Sequence, residues 1–173
     1  MADVLTLNLN AKIDWVLRET LDLSTVTDTA AATYTAAVAD GTGADQCDKI
    51  WHDSIALATG LSTTLDLSGG LTTTIFGTAV AFTFVKVKAV LIVNTSTTAG
   101  DELVWNGTIA NSWLGPFNGS ATSKIEIGPD SALFVSSKKD GWAVTAGTGD
   151  IITITNAAGG TITYKIVIAG TSA

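Results

Sequence analysis

From Phe82 to Asn94 the chain reads Phe-Thr-Phe-Val-Lys-Val-Lys-Ala-Val-Leu-Ile-Val-Asn. Phe82 and Phe84, and then Val85, Val87, Ala89, Leu91 and Val93, recur at every second position. A period of two is the signature of a strand with one buried face, so this segment predicts a long strand. The two apolar neighbours Phe84 and Val85 shift the register by one, which predicts a bulge or a change of sheet there. Near the C-terminus Ile162, Tyr164, Ile166 and Ile168 alternate with Thr161, Thr163, Lys165 and Val167. Asp150 to Asn156 reads as a shorter strand just before it, and Ala157-Ala158-Gly159-Gly160 between the two predicts a hairpin loop.

Weaker strands are expected at Glu102 to Trp105, Lys124 to Ile127, Ala132 to Ser136 and Trp142 to Ala146. The turn formers Asn106-Gly107, Asn118-Gly119, Gly128-Pro129-Asp130 and Asp140-Gly141 separate them. With an early strand on Leu61, Thr63, Leu65 and Leu67, the chain carries roughly seven or eight short strands spaced about ten residues apart. The fold class this implies is all-β, an antiparallel β-sandwich or jelly-roll-like barrel. A helical apolar period is conceivable only at Asp14 to Leu21 and around Ala44 to Ile50, so any helix is peripheral.

The first fifty residues differ from the rest. Leu5, Leu7 and Leu9 alternate with Thr6 and Asn8, and a Thr/Ala-rich stretch from Thr25 to Ala39 ends in Asp40-Gly41-Thr42-Gly43. Residues 1–50 therefore read either as an extended N-terminal arm that adds a strand to a neighbour or as accessory strands of the same sandwich. Residues 51–173 read as the sandwich domain.

Hydrophobic residues make up 46% of 173 and charged residues only 14%, against roughly 25% charged in an average domain. The deficit is filled by Thr, Ser, Gly and Ala, whose small neutral surfaces pack against a partner at little desolvation cost. Self-association, as an oligomer or lattice component, is the expectation. A net charge of −7 has the wrong sign for gripping a phosphate backbone, so nucleic acid is not an expected partner. Nor is a membrane, because the longest apolar run is interrupted by Lys86 and Lys88. The first residues lack a basic segment followed by an apolar one and do not read as a secretory signal.

Candidate chemistry is sparse. His52 is the single histidine and Cys47 the single cysteine, too few nitrogen and sulfur ligands for a zinc site, and one cysteine allows no internal disulfide. Cys47 reads as a small apolar packing residue. His52 and Asp53 are strand neighbours pointing to opposite faces, and no Gly-x-Ser-x-Gly elbow accompanies them. Asp101-Glu102 reads as a solvated turn, and Asp40, Asp45 and Asp48 do not have the spacing of a calcium loop. Phosphate-binding glycine motifs are absent from the sequence, so neither a catalytic residue, a metal nor a cofactor is expected. Asn94, Asn106 and Asn118 fit the N-x-Ser/Thr pattern but read as turn residues.

Five tryptophans are many for so weakly charged a chain. Most read as core, whereas Trp113 and Phe117 lie among turn formers in what reads as a loop. With Leu5, Leu7, Leu9 and Trp15 of the N-terminal segment they are the candidate interface residues.

Five blocks carry a family likeness: Asp48 to Trp51, Leu65 to Leu71, Val85 to Thr95, Val144 to Asp150 and the closing Ile166 to Thr171. Together they resemble a group of small tailed-bacteriophage virion proteins. The resemblance implies a capsid decoration, or cement, protein that binds the major capsid protein on the outer surface of the head as a trimer. A head fibre, tail or baseplate component is the nearest alternative. It implies residence in the virion after synthesis in the host cytoplasm, and brings no catalytic residues with it. A carbohydrate-binding module that attaches to a host glycan through exposed tryptophans is the rival from another class.

Overall fold

The computed structural model describes residues 4–20, 22–75, 78–107, 109–120 and 122–173, and its regular structure is β throughout apart from one turn of 3-10 helix, Gly115–Phe117. The chain opens with a long antiparallel ribbon. Strand β1 (Leu7–Thr20) runs out and β2 (Thr25–Val38) runs back, in unbroken register from Leu7 opposite Val38 to Thr20 opposite Thr25. Strands of 14 residues, at about 3.3 Å per residue, give it a reach of roughly 45 Å.

The body follows from Lys49. In chain order it comprises β3 (Lys49–Leu57), β4 (Ser62–Asp66), a small hairpin of β5 (Leu71–Ile75) and β6 (Thr78–Phe82), and then β7 (Lys86–Asn94). After these come β8 (Leu103–Asn106), β9 (Lys124–Ile127), β10 (Ser131–Ser136), β11 (Trp142–Ala143), β12 (Ile151–Asn156) and β13 (Ile162–Thr171). One sheet has the order β10-β7-β13-β3, with the short β11 also paired to β7, and the other has the order β4-β12-β8-β9. Among these strands the chain changes sheet at every step except β8 to β9 and β10 to β11. The pairs β3/β13, β4/β12, β7/β10 and β8/β9 thus wind together as one folded ribbon of strands, which is the jelly roll.

The core lies between the sheets and follows the period of two. Ile168, Ile166, Tyr164 and Ile162 of β13 point inward, flanked by Val90 and Ile92 of β7 and by Trp51 and Leu57 of β3. Leu65, Ile152, Ile154, Leu103, Trp105 and Ile127 meet them from the facing sheet. Near its end β13 slips register between Ala169 and Gly170. Gly170 permits the slip, because a Cβ there would run into the Lys86 carbonyl oxygen and stand 2.8 Å from the Phe84 ring.

Three expectations are corrected by this topology. The segment Phe82 to Asn94 is not one strand. β6 ends at Phe82 in the small hairpin, and the backbone N–H groups of Phe84 and Val85 donate to Leu67 and Thr171 before β7 begins in the larger sheet, so the register change does mark a change of sheet. Asp150 to Ile168 is not a hairpin either, since β12 and β13 lie in opposite sheets and residues 157–161 carry the chain across. Asn156 secures that crossing, donating from Nδ2 to the carbonyls of Leu57 and Gly160. The two stretches read as short helices are not helical: Asp14 to Thr20 belongs to β1, and 44–48 form turns leading into β3.

Candidate functional site

Cross-strand partners in a ribbon share a face, so the register of β1 against β2 sorts the arm into two sides. Leu7, Leu9, Ala11, Ile13, Trp15 and Leu17 share one side with Val38, Ala36, Tyr34, Ala32, Ala30 and Val26, polar only at Glu19 and Asp28 near the far end. The opposite side carries Asn8, Asn10, Lys12, Asp14, Arg18 and Thr20 against a run of threonines and alanines from Thr25 to Ala37, with Val16 as its one large apolar residue. The arm is therefore an amphipathic ribbon.

Its apolar side is covered along only part of its length. At the base, Leu9 and Val38 are buried with Cys47, Ala89 and Ala169, and Leu5, Leu7, Ala36 and Phe134 pack around them. Leu5 is anchored as well by its backbone N–H, which donates to Asp40 Oδ1 at 3.0 Å. Further out, Ile13, Trp15, Leu17, Val26 and Tyr34 of the same side are exposed. An isolated two-stranded hairpin is marginally stable in water, and an apolar face of this length in solvent is the mark of an association surface. The indole N–H of Trp15 donates to Asp28 Oδ2 at 3.0 Å, which holds the ring on that side and engages the carboxylate that interrupts it.

Beside the seated base lies a groove of about 190 Å³, walled by Leu7 to Asn10 of the arm and by Ala89, Leu91, Phe134, Val167 and Ala169 of the larger sheet. Leu91 stands between Phe134 and Val167 in one cross-strand row, and His52 continues that row onto β3. The outer side of this sheet is therefore apolar where it meets the arm and remains half open next to it.

The sequence-derived interface residues divide between this surface and the core. Leu5, Leu7 and Leu9 belong to the base of the arm and are covered by the chain's own body, while Trp15 lies on the exposed stretch. Trp113 and Phe117 do not form an exposed loop cluster, and both are buried. Trp113 stacks on Trp105 at 5.9 Å between ring centroids, Phe117 meets Trp105 edge-on at 5.2 Å, and Trp142 meets Trp113 edge-on at 5.9 Å. The Trp113 indole donates to the Ala143 carbonyl at 2.9 Å, and at Gly115 a Cβ would collide with Trp142 and Trp113. The segment is irregular but lies against β12, the Trp113 N–H donating to the Ile151 carbonyl at 2.8 Å, and its aromatic rings are buried. Exposed residues that sequence reading passed over are Ile13, Leu17, Val26 and Tyr34, whose pairing shows only once β1 is laid against β2.

Several polar and reactive groups of the body are engaged in structure, whereas the buried Tyr164 hydroxyl and Thr153 Oγ1 have no hydrogen-bond partner among the described residues. The Cys47 thiol is directed at the Gly170 carbonyl (3.0 Å) with that of Lys49 at 3.2 Å, and burial pushes it up. Exposed His52 lies on the outside of β3. Asp101 is buried rather than solvated. It accepts from Ser96 Oγ and from the Gly160 N–H, and these two bonds hold its carboxyl below the ordinary range. Asp150 accepts from Ser68 Oγ (2.8 Å) and the Gly147 N–H (2.6 Å), and Asp48 accepts from the Ser172 N–H at 2.8 Å. Lys88 lies along the 137–141 turn and donates to the Lys139 carbonyl at 2.7 Å, its pKa lowered by burial and then by Lys86. Burial raises the Tyr164 hydroxyl to about 12. Asn94 donates to the carbonyls of Asp101 and Ile127, which makes its side chain a tie between loops. Among the described residues no three His, Cys, Asp or Glu side chains converge on one point.

Compared with protein-family models, with curated proteins and with solved structures, the chain gave no match.

Proposed function

We propose that this protein is a non-enzymatic structural component of a bacteriophage virion, a capsid decoration protein. In this reading its jelly roll sits on the outer surface of the head and its ribbon clamps neighbouring subunits. Jelly rolls occur in viral capsid proteins, lectins and cupins, so the fold alone does not choose among them. The observation that carries the reading is the ribbon, an arm whose apolar side begins buried on the body and continues into solvent. Such a face gains free energy only when a neighbour covers it.

Two further features support an assembling role. Charged residues are only 14% of the chain, which suits a surface meant to be covered. The carboxylates, the lysine and the thiol described above serve as ties between loops. The glycan-binding alternative asks for open aromatic faces, and of the five tryptophans only Trp15 is exposed.

The test is to mix purified protein with expanded phage heads that lack it and to measure co-sedimentation. Wild-type protein is expected to saturate a fixed number of sites, and I13D/L17D protein, folded but with a polar ribbon, to stay in the supernatant. Equal occupancy by the two proteins, or none by the wild type, would overturn the proposal.

A further inference from the structure

We infer that the exposed part of the ribbon docks on the outer side of the β10-β7-β13-β3 sheet of a second copy of this chain, in a head-to-tail exchange of arms. The inference rests on the assembly reading above and names the partner for the arm.

Three observations lead to it. The first is continuity. The apolar side of the ribbon is one surface, and its base already sits on this sheet, with Leu9 and Val38 buried among Ala89, Ala169 and Cys47. Ile13 and Leu17 repeat the chemistry of Leu9 further out along the same side of β1. The arm is laddered in register from end to end, and in this chain Ile13 and Leu17 stay uncovered.

The second is the receiving surface. Next to the seated base the sheet keeps a half-open apolar strip: the row Phe134, Leu91 and Val167 walls the groove of about 190 Å³, and half-buried Val93 continues the same side of β7 beyond it. The third is charge. On its docking side the ribbon carries Glu19 and Asp28 and no cation, while Asp14 faces the other side and is paired with Lys12 at 3.0 Å. At the outward positions that flank the strip the charged residue is Lys165, which pairs with Val93 and with Ser54. An acidic arm thus meets an apolar face bordered by a cation, an arrangement that favours this pairing over the packing of two acidic arms together. The contact is heterologous, so it closes into a ring or continues from copy to copy according to the rotation between neighbours.

Sedimentation velocity on the full chain and two variants tests the inference. I13D/L17D spoils the donor side and V93K/V167K spoils the receiving side, and each is expected to weaken self-association by at least about a hundredfold, since central apolar contacts carry most of the affinity. An equimolar mixture is expected to regain a one-armed complex, because the intact arm of one variant meets the intact sheet of the other. The near-ultraviolet circular dichroism of the stacked Trp105 and Trp113 reports whether each variant is folded. If V93K/V167K loses that signal, the exposed charge reversal K165E takes its place and is expected to weaken association several-fold. A wild-type chain that is monomeric at every concentration, a receiving-side variant that assembles like wild type, or a mixture that fails to complement overturns the inference. A monomer that nevertheless binds phage heads through Ile13 and Leu17 would overturn it while leaving the assembly reading in place.

Discussion

Leu9 and Ile13 project from the same side of β1, four residues apart, yet Leu9 is 5% exposed and Ile13 70%. The boundary between what the chain buries for itself and what it leaves for a partner falls between them. Leu9→Ala is therefore expected to lower the unfolding free energy by about 2–4 kcal/mol, the cost of a buried cavity. Ile13→Ala is expected to stay within about 0.5 kcal/mol, as for an exposed site, while weakening association. Urea unfolding below the association range compares the two, and equal losses would contradict the boundary.

The aromatic cluster predicts a second asymmetry. Trp113 is 1% exposed and stacked on Trp105, so Trp113→Ala is expected to cost about 3–5 kcal/mol and to abolish the near-ultraviolet signal of the pair. A variant that unfolds like wild type would mean that Trp113 is a surface residue.

Asp101 predicts an acid limb. Its carboxyl is held below the usual range by Ser96 and then by the Gly160 N–H, so the folded state binds its proton less readily than the unfolded chain, whose value is about 3.9. The stabilisation is fully present above about pH 4 and is lost as the pH falls through the lower folded value. Asp101→Asn is expected to lower the urea midpoint at pH 7 and to flatten its fall below about pH 4. An acid limb as steep as that of the wild type would count against the assignment.

Gly170 predicts a steric limit at the end of β13. A Cβ there meets the Lys86 carbonyl and the Phe84 ring, both set in packed structure, so Gly170→Ala is expected to destabilise by about 1–3 kcal/mol or more through overpacking. Thermal melting checks it, and an unchanged midpoint would show that the register slip relaxes at no cost.

Much of the body was legible in the sequence, because alternation survives wherever a strand has one face in the core. Ile162, Tyr164, Ile166 and Ile168 point inward as their spacing implies, and Lys124 to Ile127 is β9 as read. Periodicity says nothing about which sheet a strand joins. The loop Ala157 to Gly160 therefore read as a hairpin although it bridges the two sheets, and the break after Phe82 depends on backbone bonds to Leu67 and Thr171, distant in sequence. Trp113 and Phe117 were misplaced for a related reason: an irregular segment has no period to betray that its rings face inward. In the arm, Trp15-Val16-Leu17 places apolar side chains on both sides of β1, which blurs the alternation. The alternation of Leu9, Ala11, Ile13, Trp15 and Leu17 is nonetheless present in β1, and what emerges only from the pairing is the share of β2, with Ala32 opposite Ile13 and Tyr34 opposite Ala11.

Cover of the outer ribbon by a neighbour is reported directly by Trp15, the exposed indole of the chain. Acrylamide quenching of tryptophan fluorescence, compared between assembled wild-type protein and monomeric I13D/L17D, measures that cover. The readily quenched fraction present in the monomer is expected to disappear on assembly, and Trp15→Phe to remove it from both. A Trp15 as accessible in the assembled protein as in the monomer would contradict such cover.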